Sequence, residues 1–122
     1  MRDKPLTGLR VLIVEDDPLI ALDIADTISA AGAEIIGPAH TVSAALTQIG
    51  HQAPDVAILD WRLESETASP VAAELVNRAV PFLFHTSSRG HPEAAHPGVP
   101  IIDKPTRPEQ LVLAVTTLTK KA

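Results

Sequence analysis

The sequence predicts an α/β fold in which five successive βα units form a doubly wound, five-stranded parallel sheet. Short apolar runs recur at intervals of twenty-odd residues, at 9–14, 34–36, 56–59, 81–84 and 99–102. Apart from Arg10 and Glu34 these runs are continuously apolar rather than alternating, as expected of strands covered on both faces. Helical periodicity fills the intervals, and strand alternating with helix favours a parallel sheet.

The elements follow in chain order. After the first strand, Asp17 offers an N-cap oxygen and Pro18 suits the first helical position; Ile20, Ile24 and Ile28 share one face before Gly32 stops the helix. A second helix after Thr41 turns Val42, Ala45, Leu46 and Ile49 inward and ends at Gly50. A third, after Ser69-Pro70, offers Val71, Leu75 and Ala79. Residues 86–100 read TSSRGHPEAAHPGVP, with three prolines, two glycines and no apolar face, so the fourth helix is expected to be short or irregular. The last helix begins with Thr106 and Glu109 at capping-box spacing. It presents Leu111, Val115 and Leu118 and runs out at the basic pair Lys120-Lys121.

At 122 residues, without linker, internal repeat or second apolar block, residues 1–122 read as a single domain with no effector attached. Fifteen acidic against ten basic residues, a formal charge of -5, and an aromatic complement of one Trp and two Phe argue against a nucleic-acid surface. The absence of cysteine excludes disulfides and thiolate metal sites. Neither a signal peptide nor a membrane span is indicated, so the expectation is a cytoplasmic protein without a membrane partner.

In an open parallel sheet, ligands bind beyond the carboxyl ends of the strands. The first strand delivers Glu15 and Asp16 there, the third Asp60, the fourth Thr86 after His85, and the fifth Lys104 followed by Pro105. Two like charges roughly 4 Å apart cost about 4 kcal/mol at an effective dielectric of about 20, so this cluster calls for a cation. A hard, oxygen-seeking ion such as Mg²⁺ fits, with the Lys104 ammonium and Thr86 hydroxyl as further donors. These are also the parts of a phosphoryl-transfer site, in which Asp60, on the middle strand, is the candidate nucleophile. Asp17 reads as a helix cap outside the site. Lys104 must point back at the sheet edge, aided by a cis bond before Pro105.

With VEDD ending the first strand, ILD the third, Thr86 the fourth and Asp103-Lys104-Pro105 the fifth, the chain resembles the receiver domain of two-component response regulators over essentially its whole length. That resemblance implies a flavodoxin-like (βα)5 fold with strand order 2-1-3-4-5. It implies Asp60 as phosphoacceptor for a histidine kinase or phosphotransfer protein, Asp16 as Mg²⁺ ligand, and Glu15 as a mainly water-mediated one. It also makes Thr86 and Lys104 phosphoryl contacts and Arg62 a backbone-carbonyl ligand of the ion. The protein would then be no enzyme beyond self-phosphorylation and slow autodephosphorylation, acting within a phosphorelay by altered binding to a downstream protein.

The segment PFLFHTSSRG is similar to the P-F-x-F-A-T-G segment of the receiver subgroup nicknamed FAT GUY, found with alphaproteobacterial kinases of the HWE type. His85 and Ser87 depart from its Ala and Gly. Ile101 stands three residues before the lysine, where receivers usually carry Tyr or Phe. Ordering of part of residues 87–98 on phosphorylation is the expected substitute for the missing aromatic switch.

A second reading is a Mg²⁺-dependent phosphatase or phosphotransferase of the haloacid-dehalogenase type. Those enzymes carry a second acid two residues after the nucleophile, where this chain has Arg62. A pseudo-receiver adaptor is disfavoured because no site residue is missing. His85, His91 and His96 match no helical i, i+4 pair, and no zinc site is expected. Trp61 reads as a partly exposed loop residue able to report Mg²⁺ binding by fluorescence.

Overall fold

A computed structural model describes residues 4–87 and 96–120. The strands are β1 (Arg10–Val14), β2 (Glu34–Ala39), β3 (Val56–Leu59), β4 (Arg62–Leu63), β5 (Glu66–Thr67), β6 (Phe82–Thr86) and β7 (Ile101–Asp103). The helices are α1 (Pro18–Ala30), α2 (Val42–His51), α3 (Ser69–Asn77) and α4 (Pro108–Lys120). Five strands form one parallel sheet in the order β2-β1-β3-β6-β7, the arrangement expected of the flavodoxin-like receiver fold, while β4 and β5 make a separate antiparallel hairpin. Residues 88–95, which hold most of the interval expected to carry an irregular helix, lie outside the described residues.

The sheet divides the apolar residues into two layers. On one face Leu12, Val14, Ala57, Leu59 and Phe84 pack under α2 and α3; on the other, Val11, Ile13, Ile58 and Leu83 pack under α1 and α4. Successive strand residues point to opposite faces, so a strand covered by helices on both sides must be apolar throughout, and β3 is buried at all four positions. Among the described residues no helix is long and apolar enough to cross a membrane.

Asp17 caps α1, its Oδ1 accepting from the backbone of Leu19 at 2.9 Å and of Ile20 at 3.3 Å. Thr41 caps α2 through a 3.0 Å bond from Ala44 N–H. Four helix details differ from expectation. Leu46 is exposed, because Val42, Ala45 and Ile49 already fill the side of α2 that meets the sheet. Gly50 lies inside α2, which runs on to His51. Ala79 lies beyond α3 with φ of 59°; Val80 N–H donates to Leu75 O at 2.9 Å and Ala79 N–H to Val76 O at 3.0 Å, a Schellman closure. The last helix starts at Pro108, so Thr106 stands one residue before the N-cap position, and its hydroxyl donates to Asp103 O at 2.6 Å.

Strand β2 continues past the apolar run through Gly37 and Pro38, where its register against β1 shifts between Leu12 and Val14. Gly37 has φ of 96°, and a Cβ there would sit 2.7 Å from Ala39 N, so only glycine passes this irregularity unstrained. The Gly37–Pro38 and Lys104–Pro105 peptide bonds are cis, the second as the sequence led us to expect.

Candidate functional site

Parallel pairing brings the carboxyl ends of β1, β3, β6 and β7 to one edge. Glu15 and Asp60 begin where their strands end, yet both backbones are still held by neighbours: Glu15 N–H donates to Ala39 O and Asp60 N–H to Val14 O, each at 2.9 Å. Their side chains therefore start from fixed points. Glu15 is 1 % exposed and Asp60 7 %, while Asp16 is half-buried. One carboxylate oxygen from each of the three lies within 4.8 Å of the others.

Lys104 reaches back from the turn after β7. Its Nζ donates to Glu15 Oε1 at 2.5 Å and to Asp60 Oδ2 at 3.0 Å, bridging the ends of β1 and β3. Asp16 Oδ2 accepts from the backbone N–H of Glu64, at 2.9 Å, in the β4–β5 turn. Glu15 Oε2 accepts from Asp17 N–H at 3.1 Å, and Glu15 O is 2.8 Å from His40 Nδ1. Thr86 is buried at the end of β6, in register with Asp103. Arg62 opens β4 two residues beyond Asp60, with its side chain exposed.

The electrostatics are those of a cluster short of positive charge. Burial pushes the Glu15 carboxyl up to about 7, with the Asp60 charge adding to the rise; bonds from Lys104 and Asp17 N–H oppose it without prevailing. Burial alone would lower the Lys104 ammonium, but its bonds to Glu15 and Asp60 outweigh that and raise it. Among the described residues the Lys104 ammonium bonds to Glu15 and Asp60, and the three acidic groups together form a donor set of hard oxygens that suits Mg²⁺.

A sequence profile of the response regulator receiver domain matches residues 11–116, which includes every residue of this cluster. The chain belongs to the response regulator receiver family. Receiver relatives agree. SdrG from Sphingomonas melonis Fr1 is 34% identical, with 93% of this chain and 97% of that one covered at a TM-score of 0.80. The response regulator PhyR of Brucella abortus is 24% identical at a TM-score of 0.82, over 94% of this chain and 49% of that one, a likeness of fold. The transcriptional regulatory protein PdtaR of Mycobacterium tuberculosis is 31% identical over 71 residues. That match takes in 58% of this chain, and the chain spans only about a third of the curated relative, 35%.

Of the residues singled out in the sequence, Glu15, Asp16 and Asp60 converge, Lys104 bonds to Glu15 and Asp60, and Thr86 ends the neighbouring strand. Sequence reasoning missed the β4–β5 hairpin that holds Asp16; only the short alternation of Arg62-Leu63 and Glu66-Thr67 hints at it. Trp61 is buried rather than partly exposed, its ring edge-on to Phe84 at 5.4 Å and to His96 at 5.7 Å. Among the described residues His85 and His96 have separate partners. His85 meets Thr106 and His96 meets Ser69, while His91 lies outside the described residues.

Proposed function

We propose that the chain is a phosphoacceptor of a two-component phosphorelay, in which Asp60 takes a phosphoryl group from the phosphohistidine of a histidine kinase or phosphotransfer protein. The observation that carries this reading is the Lys104 ammonium set between Glu15 and Asp60, at 2.5 and 3.0 Å, on the edge where three carboxylates converge. Asp60 Oδ2 is bound to Lys104, so the other carboxylate oxygen attacks phosphorus. The P–N bond breaks as the P–O bond of an acyl phosphate forms, and the departing imidazole keeps the electron pair.

Glu15, Asp16, Asp60 and the Arg62 carbonyl would hold Mg²⁺. When bound, the ion supplies positive charge against the incoming phosphoryl oxygens. Lys104 supplies a second positive charge beside Asp60, and the Thr86 hydroxyl a donor to a phosphoryl oxygen. Asp16 is kept in place by Glu64 N–H. The output is a change in binding to a downstream protein.

The test is incubation with Mg²⁺ and phosphoramidate or a phosphorylated kinase, comparing wild type with Asp60→Asn. One acid-stable, base-labile phosphate that disappears in the variant supports the assignment. Labelling that persists sinks it, and steady hydrolysis of many phosphate esters would favour the haloacid-dehalogenase reading instead.

A further inference from the structure

We propose that His85 is a positioning residue for Lys104, acting through the hydroxyl of Thr106. The Thr106 Oγ1 hydrogen is committed to Asp103 O, 2.6 Å away. His85 Nε2 approaches the same oxygen at 3.1 Å and must therefore donate to it. That fixes the tautomer: Nε2 carries the hydrogen, and Nδ1 is left bare and buried, without a partner among the described residues.

The result is a relay from β6 through His85 to Thr106 to Asp103, closing the turn that contains Lys104. A second tether lies at the start of the turn, where Lys104 N–H donates to Thr86 O at 3.2 Å. The turn is thus tied to β6 at both ends, and the Lys104 side chain leaves it already aimed at Glu15 and Asp60. Packing alone does not account for His85. It is 6 % exposed beside a cavity of about 350 Å³ whose lining mixes Ile20, Ile24 and Leu111 with Asp23, Thr27 and Lys104, and an aliphatic side chain would take its place without stranding a polar nitrogen. The ring also stays neutral, since burial and then the Lys104 charge hold its pKa down at about 4. It therefore does not compete with Lys104 for the two carboxylates.

The consequence for phosphoryl uptake rests on the function proposed above; the geometry does not. Nitrogen-15 spectra of the ring at pH 7 should report a protonated Nε2 and a bare Nδ1. His85→Leu and Thr106→Val should each speed Lys104 amide exchange and slow Mg²⁺-dependent uptake from phosphoramidate by about fivefold, the worth of one hydrogen bond. The double variant should be no slower than either single one, and His85→Gln, whose Nε2 lies equally far from Cβ, should restore protection and rate. An Nδ1-protonated ring, unchanged Lys104 exchange in Thr106→Val, or multiplicative effects in the double variant would overturn the proposal. If wild type takes up no phosphate at all, the phosphoacceptor reading fails, while the tautomer and exchange measurements still decide the positioning role.

Discussion

Replacing Glu15 by Gln should stabilise the metal-free protein, and the gain should depend on pH. The folded state keeps a proton on Glu15 up to about pH 7, whereas the unfolded chain gives it up near 4.5. Folded protein thus binds more protons within that window, and stability falls as pH rises through it. The difference of about two and a half pH units corresponds to about 3 kcal/mol at pH 8. Glutamine removes that penalty, but it cannot accept from both Lys104 and Asp17 N–H, a loss of about 1 to 2 kcal/mol. The net expectation is a gain of about 1–2 kcal/mol at pH 8, which shrinks toward zero and then reverses as pH falls to 4.5. Urea unfolding in EDTA across pH 4.5–8 measures it. Adding millimolar Mg²⁺ should stabilise wild type more than the variant, reversing their order. A Gln variant no more stable than wild type at pH 8, or a gain independent of pH, would refute the claim that burial of a charged Glu15 is the cost the cation relieves.

Other variants address neighbouring features. Lys104→Met leaves two buried carboxylates facing each other and should cost about 3 kcal/mol in EDTA and less in Mg²⁺, read by the same urea curves. Phe84→Ala removes a fully buried ring from beside Trp61; it should cost about 3–5 kcal/mol and shift Trp61 emission to the red. Ala79→Gly relieves a left-handed residue at the end of α3 and should raise stability by about 0.5–1 kcal/mol, measured by thermal melting.

The sheet was legible because its central strands carry unbroken apolar runs, a pattern that burial on both faces demands and that Val11 to Val14 and Val56 to Leu59 show plainly. The site was legible for a related reason: once the strands are parallel, whatever follows them must meet at one edge. Part of what escaped depends on contacts between residues far apart in sequence, and part on how a turn or helix end closes. Nothing local to Thr106 says that its hydroxyl will turn to Asp103 and receive His85 rather than cap a helix. Trp61 is drawn inward by Phe84 and His96, neither of them adjacent in sequence. Ala79 had the spacing of a core position, but the helix had already closed behind it.

Strand β2 pairs with β1 alone and so forms a rim of the sheet. Its outer half is Gly37-Pro38-Ala39, where the register breaks and proline offers no N–H. Another extended chain laid along that rim would find an interrupted row of donors and a kinked path. An exposed sheet margin is where like molecules stack into insoluble ribbons, and a proline with a local irregularity is a known guard against it. Gly37 and Pro38, which interrupt the strand, thereby make this rim a poor template for edge-to-edge pairing.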